Sequence, residues 1–411
     1  MINSATVVLK ITERCNINCK YCYFFNKDNQ EYVNHSPIIK SETVSDVIDF
    51  LDQAISDLGI CKMTISFHGG EPLMMGKKRF TSMMEKFQEK NGYTSMMFCI
   101  QTNGTLIDEE WANIFNKYRI NVGVSLDGPE HIHNLNRIDK SNKGTYESVI
   151  NGIKLLKKMI GAEHISIMSV ANVNYPANDI FNHVINDLGI NTFDVLIEDY
   201  NHDTTSTKDV KLQSKYLSDV LNCWINCDTK PRISFIKRMM DRLTAESKDE
   251  LILGHGSSIV ITIDSNGNVC PTDEIMNCRI DLFRNSKYVK ETTLAEYLDQ
   301  DVIYNHVCHR VDQDCYECNV RFDCRNYAMN TIPDGCQSCE LKYICQGDAI
   351  GNIGNRYSKD NGFNNPSVHC EIIKDVYSRG VALLINSGYE RSKIENLMTI
   401  DNNIDYIKIC E

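Results

Sequence analysis

The chain has 411 residues, enough for two or more domains with sizeable cores. Its 43 Lys and Arg against 55 Asp and Glu give a formal net charge of −12. That balance argues against nucleic acid as the main partner, because phosphate binding needs a basic footprint. No run approaches the roughly 18 apolar residues of a membrane span, and the N-terminal MINSATVVLK is too short for a signal peptide. The expectation is a cytoplasmic protein with no membrane partner. Its 18 cysteines are the unusual feature. In a reducing compartment clustered cysteines read as metal ligands or redox groups, and this number suits several iron–sulfur clusters better than one zinc site.

Strand-like runs come at Ala5–Ile11, Met63–Phe67, Ser95–Gln101, Asn121–Ser125, Ile165–Val170 and Phe193–Ile197. Helix-like stretches lie between them near 42–58, 77–90, 107–118, 145–158 and 178–187. Strand then helix, repeated six times, predicts a parallel α/β sheet with right-handed crossovers, closed only in part: a partial (β/α)6 TIM-like barrel. Ligands of such sheets sit at the carboxyl ends of the strands, so the loops after strands should carry the chemistry. Two further helices are expected at Val210–Asn226 and Ser234–Ser247, then a hairpin about Ser265-Asn266-Gly267-Asn268. From about 300 to 370 regular pattern fades and cysteines crowd in, and 371–399 looks helical. The expected organisation is a barrel over 1–230, a helical linker over 231–257, an irregular cysteine-rich domain with a β-hairpin over 258–390, and a tail over 391–411.

Three groups of residues carry chemistry. Cys15, Cys19 and Cys22 form C-x3-C-x2-C in the loop after the first strand; three thiolates on a four-iron cluster leave one iron open to a small molecule. Gly69-Gly70-Glu71-Pro72, Gln101-Thr102-Asn103-Gly104 and Ser125-Leu126-Asp127-Gly128 follow the second, third and fourth strands, with Arg137 shortly after. Cys315, Cys318 and Cys324 have the spacing C-x2-C-x5-C, and Cys336, Cys339 and Cys345 repeat it 21 residues later. Two copies suggest two metal sites, each needing a fourth ligand; a structural zinc site is the competing reading of the first copy. Cys61, Cys99, Cys223 and Cys227 are expected to be mostly core residues.

In these motifs and their order the sequence resembles the radical SAM superfamily. The resemblance implies one [4Fe-4S] cluster on Cys15, Cys19 and Cys22 that chelates S-adenosyl-L-methionine (SAM). It implies cofactor contacts from Tyr21, Gly69, Gly70, Glu71, Asn103, Ser125, Asp127 and Arg137, with Tyr21 packing on adenine. The C-terminal region resembles the SPASM extension, which implies one or two auxiliary [4Fe-4S] clusters. By position, Cys336, Cys339, Cys345 and Cys370 would hold the distal one. The chain departs from that pattern at Thr272 and Ala349, where relatives carry cysteine, so the proximal set would be Cys315, Cys318 and Cys324 with Cys308, Cys270 or Cys278, Cys308 being nearest in sequence.

Segments 196–203, 267–274 and 361–370 are similar to those of maturases of ribosomally made peptides, in the branch that forms cyclophanes. The expected activity is then a carbon–carbon crosslink between an aromatic ring and a nearby side-chain carbon of a precursor peptide. Thioether formation or formylglycine formation, as in sulfatase maturases, is the alternative, and an iron–sulfur electron carrier or a zinc-stabilised scaffold the non-enzyme one. Asp273 is the candidate proton acceptor, at the hairpin position where sulfatase-maturing relatives carry a basic Asp; a turn-capping role is the competing reading. Glu198, Asp199 and His202 could line a peptide site. Expected partners are the peptide and an electron donor such as flavodoxin or ferredoxin. With the first strand starting by Ala5, leader recognition would rest on a separate protein or on this chain's own surface.

Overall fold

The computed structural model describes residues 4–26, 30–198, 200–205, 207–253, 258–273, 275, 278, 286–299, 332–347 and 353–400. Strands β1 (Ser4–Thr12), β2 (Lys62–Gly69), β3 (Met96–Thr102), β4 (Asn121–Ser125), β5 (Ile165–Val170), β6 (Thr192–Leu196) and the short β7 (Arg232–Ile233) run parallel in sequential order. On the other side of β1 comes β8 (Ser258–Ile263), also parallel to it, then β9 (Asn268–Cys270) and β10 (Lys287–Tyr288), each antiparallel to its neighbour. The expected partial α/β barrel is present, and the hairpin extends its sheet through β8.

Alternation explains the layering. Ala5, Val7, Leu9 and Ile11 on β1, Met63, Ile65 and Phe67 on β2, and Phe98 and Ile100 on β3 are buried. The intervening residues Thr64, Ser66 and His68 of β2 and Cys99 and Gln101 of β3 are only half-buried. One face of the sheet is therefore apolar and takes the helices; the other is polar and faces a partly open interior. The apolar side is filled by rings: Phe67 stacks on Phe98 at 5.9 Å between centroids and meets Phe80 edge-on at 5.1 Å, and Phe80 meets Trp111 at 5.4 Å. The helix Glu109–Tyr118 begins where Asp108 accepts the Trp111 N–H at 2.9 Å, an N-cap that orients this ring.

The chain divides into two compact units. One comprises 1–198, 222–234 and 258–300, the other 199–221, 235–257 and 301–411. In the second unit, helix Cys370–Asn386 buries Ile372, Ile373, Val376 and Tyr377. At Gly380 of this helix a Cβ would come within 2.8 Å of Met239 and Leu243, so helix Ser234–Leu243 approaches as closely as glycine permits. Arg242 donates to the Ile344 carbonyl, and Gln346 donates to Leu251 O at 2.6 Å. Among the described residues no helix is long and apolar enough to cross a membrane.

Candidate active site

The first unit gathers the N-terminal motifs at the carboxyl ends of its strands. The Cys15–Cys22 loop leaves β1, and the Gly69-Gly70-Glu71 segment lies flat against its root. Gly70 N donates to Thr12 O at 2.9 Å and Glu71 N to Arg14 O at 2.7 Å. A Cβ on Gly69 would sit 1.9 Å from Thr12 O, and one on Gly70 2.3 Å from Arg14 O. The glycines are required by this close backbone approach. Asn103 reaches across from the end of β3, its Nδ2 donating to Asn16 Oδ1 at 2.9 Å and lying 3.8 Å from Cys15 Sγ.

Glu71 is fully buried. Its Oε1 accepts from Leu73 N at 3.0 Å and Thr102 Oγ1 at 2.7 Å, and its Oε2 accepts from Asn103 N at 2.7 Å. The carboxyl thus ties the end of β2 to the end of β3, and burial pushes its pKa up to about 7 against these hydrogen bonds. Asp127, after β4, is the second organiser. It accepts the Tyr21 hydroxyl at 2.5 Å and Val170 N at 3.1 Å, and pairs with Arg137 Nε at 3.0 Å. Arg137 lies 5.5 Å from the Tyr21 ring centroid and 4.0 Å from Cys19 Sγ. Burial would lower the Arg137 pKa, but Asp127, Tyr21 and Cys19 outweigh it. The structure thus places Tyr21, Asp127 and Arg137 in one bonded group that anchors the cysteine loop. Ser125 accepts from Gln101 Nε2 at 2.9 Å.

The donor set fits a cluster. Burial pushes Cys15 up to about 12 and Cys19 up to about 11, and each also feels the charge of the neighbouring thiols. Two such thiols side by side ionise readily only beside a strong positive centre, which cluster iron supplies. Among the described residues no three His, Cys, Asp or Glu side chains are arranged to hold a single ion; a cluster places each thiolate on a different iron. In the second unit Cys336, Cys339, Cys345 and Cys370 line one cavity together with Leu341, Lys342 and Lys374. Burial, with Cys370 and Cys339 nearby, pushes Cys336 up to about 11. Cys308, Cys315, Cys318 and Cys324 lie outside the described residues, as does Asp199. Of the alternative fourth ligands, Cys270 is fully buried against Phe24, and the Cys278 thiol donates to Ile275 O at 3.5 Å.

Asp273 follows β9 in the first unit. Lys10 Nζ lies 3.0 Å from its Oδ1, and the Tyr23 hydroxyl donates to its Oδ2 at 2.9 Å. Sequence reasoning missed Lys10 and Tyr23; a lysine inside the apolar run VVLKIT was the available signal. It also missed His35, held 3.1 Å from the buried Glu13 and 3.6 Å from Asp264.

Other expectations change. Cys61 is exposed, and Cys99, Cys223 and Cys227 are half-buried rather than core residues. Cys223 lies in the last turn of the helix that ends at Ile225 and Cys227 just beyond it, with polar partners, Asn178 Oδ1 and Thr229 Oγ1, within reach of the thiols. His202 Nε2 is bonded to Pro366 O at 2.8 Å, and His202 N donates to Tyr357 O.

Residues 9–175 match the model of the Radical SAM superfamily. A cysteine-type anaerobic sulfatase-maturating enzyme of Clostridium perfringens is 25% identical over 74% of this chain and 83% of its own length. One of Clostridium novyi is 24% identical over 81% and 91%. A serine-type enzyme of Bacteroides thetaiotaomicron is 34% identical over 41% and 40%. The structure described as native anSMEcpe with bound AdoMet and Cp18Cys peptide superposes with a TM-score of 0.70 at 20% identity, covering 93% of this chain and 98% of that one. Residues 9–175 of the barrel therefore match a radical SAM core, and a cysteine-rich extension follows in the chain. These relatives overturn the cyclophane expectation, since they are named for sulfatase maturation. In two of the segments that suggested crosslinking, side chains hold the local structure. Asp264 accepts from Asn266 N and Asn268 N to close the hairpin turn, and Asn361 and Asn365 side chains bond the loop 356–365 together.

Proposed function

We propose that this radical SAM enzyme oxidises a cysteine or serine side chain of a peptide or protein to the aldehyde of formylglycine. The observation that carries the reading is the alignment of sulfatase-maturating enzymes over 83% and 91% of their own lengths. When bound, SAM and the reduced cluster supply the radical that takes one hydrogen atom from the side-chain carbon, and an auxiliary cluster takes the remaining electron. This chain's residues do the rest. Cys15, Cys19 and Cys22 hold the first cluster. Gly69 and Gly70 leave backbone groups uncovered beside it, and Asn103 and Ser125 offer polar contacts to SAM. Tyr21, Asp127 and Arg137 keep the cysteine loop in register with the strand ends. Asp273 accepts the proton from the substrate thiol or hydroxyl, aimed by Tyr23. Cys336, Cys339, Cys345 and Cys370 hold an auxiliary cluster in their shared cavity. An external electron donor such as a flavodoxin or ferredoxin reduces the first cluster.

The test is anaerobic reconstitution with iron, sulfide, SAM and dithionite, then incubation with peptides carrying a single cysteine or a single serine. A hydrazine-reactive carbonyl at that residue is expected: from serine with loss of two hydrogens, from cysteine with sulfur also exchanged for oxygen. Formation of 5′-deoxyadenosine with a thioether, or with no carbonyl on either peptide, overturns the reading.

A further inference from the structure

A lysine buried within a β-strand is expensive unless its charge is matched. Lys10 is 2% exposed, and its ammonium stands 3.0 Å from Asp273 and 4.2 Å from the centroid of the Phe24 ring. Its register partner on β2 is His68, the residue before Gly69-Gly70. Tyr23, which donates to the other oxygen of Asp273, and Phe24 directly follow Cys22 in the chain. Lys10 and Tyr23 thus hold the two oxygens of one carboxylate, and Phe24 packs against the ammonium. An apolar side chain would fill the strand position without the cost of a buried charge, so the ammonium is explained by what it holds rather than by packing.

We propose that Lys10 is a positioning residue that fixes Asp273 as a carboxylate where the substrate proton is taken, and that links this position to the cluster loop through Phe24. The inference rests on the reading of Asp273 as the proton acceptor. In the resting site the pair is neutral. When the S–H or O–H bond of the substrate breaks, the proton goes to a carboxylate oxygen of Asp273 and Lys10 keeps its own. The buried ammonium then lacks its counter-charge, which favours passing the proton on and restoring the pair before the next turnover. Among the described residues, Glu13, His35, Cys270 and His68 are the other ionisable groups whose charges reach the pair. Burial holds the Cys270 thiol far above its ordinary value and His68 below its own, so both are neutral near pH 7. Glu13 is engaged by His35.

The experiment compares reconstituted wild type, Lys10→Met, Asp273→Asn and the double variant on a peptide with one cysteine. It reads carbonyl product per 5′-deoxyadenosine formed. Lys10→Met is expected to lower this ratio roughly tenfold or more while the peptide KM moves by no more than about threefold. The double variant should match Asp273→Asn alone, because a residue acting through Asp273 then has nothing to act on. In thermal melts of the same proteins the double variant should lose less than the sum of the single losses. A wild-type ratio in Lys10→Met, or losses that multiply in the double variant, would overturn the role of Lys10. Lys10→Gln is read in the same way should Lys10→Met be insoluble. A wild-type ratio in Asp273→Asn would instead remove the proton-acceptor reading itself, whereas a loss there with none in Lys10→Met removes Lys10 alone.

Discussion

Glu71 and His133 show how single buried groups set the site's response to pH, with opposite signs. The folded pKa of Glu71, about 7, lies above its ordinary 4.5. The native state therefore keeps a proton that the unfolded chain has released, and the stability from this group is present below about pH 4.5 and lost as pH rises through about 7. His133 is fully buried, its Nδ1 accepting from Asp127 N at 3.4 Å and its Nε2 bonded to Thr145 Oγ1 at 3.1 Å. Burial, helped by Arg137, pushes it down to about 4 from an ordinary 6.5. Here the unfolded chain takes the proton first, so stability is lost as pH falls from about 6.5 to about 4. Replacing Glu71 by Gln separates the two. Both carboxyl oxygens of Glu71 accept hydrogen bonds, so the amide nitrogen must face a donor, at a cost of about 1–3 kcal/mol. The variant also lacks the proton release of Glu71. Its deficit relative to wild type should therefore narrow as pH rises from 4.5 to 7 in melts of the reconstituted protein. A deficit that widens over this range would show that Glu71 is not the group kept protonated.

The element that matters most is the cysteine loop pressed on the Gly69-Gly70 turn. Gly70→Ala would put a Cβ 2.3 Å from a backbone carbonyl oxygen that has no flexible side chain to yield. The loop must then shift, and its thiols leave the positions set by Asn103 and Arg137. The expected result is loss of about four irons per chain and of 5′-deoxyadenosine formation, with the C-terminal cluster kept. Replacing Cys15, Cys19 and Cys22 by Ala should do the same by removing the ligands. Retained SAM cleavage in the triple variant would sink the radical SAM chemistry of this loop. At this scale the sequence was most readable. All six strands of the barrel begin and end within about two residues of their expected positions, because alternation of buried and half-buried residues is a local property. The ring of partners around Asp127 was not readable: Tyr21, Arg137 and Val170 meet it across the loop and two strands, and only the fold brings them there. Lys10 showed only as a charge inside an apolar run, because its counter-charge comes from beyond β9. The cysteines at 61, 223 and 227 misled, because residue type alone was taken as a sign of burial.

On the scale of the whole molecule, the question is how many clusters the chain carries, since electron flow out of the substrate depends on it. The first unit brings together three thiols, the second unit four, Cys336, Cys339, Cys345 and Cys370, around a cavity with Lys342 and Lys374. Four thiolates close a cluster and leave no iron open, which suits an electron acceptor rather than a site that binds substrate. With a four-iron cluster at each, those two sites would account for about eight irons per chain. The repeat at Cys315, Cys318 and Cys324, lying outside the described residues, decides whether the total is about eight or about twelve. Thr272 and Ala349 stand where the SPASM resemblance implies cysteine, so this repeat is the proposed replacement for a proximal cluster, and about twelve irons is the expected count after anaerobic reconstitution. Replacing Cys315 and Cys318 together should then remove about four irons while 5′-deoxyadenosine formation persists, because the first cluster is held by a different loop. Product per 5′-deoxyadenosine should fall in the same variant if the proximal cluster lies on the electron's way out. Zinc at about one per chain in the wild type, lost from this variant with no change in iron, would instead make the repeat a structural zinc site.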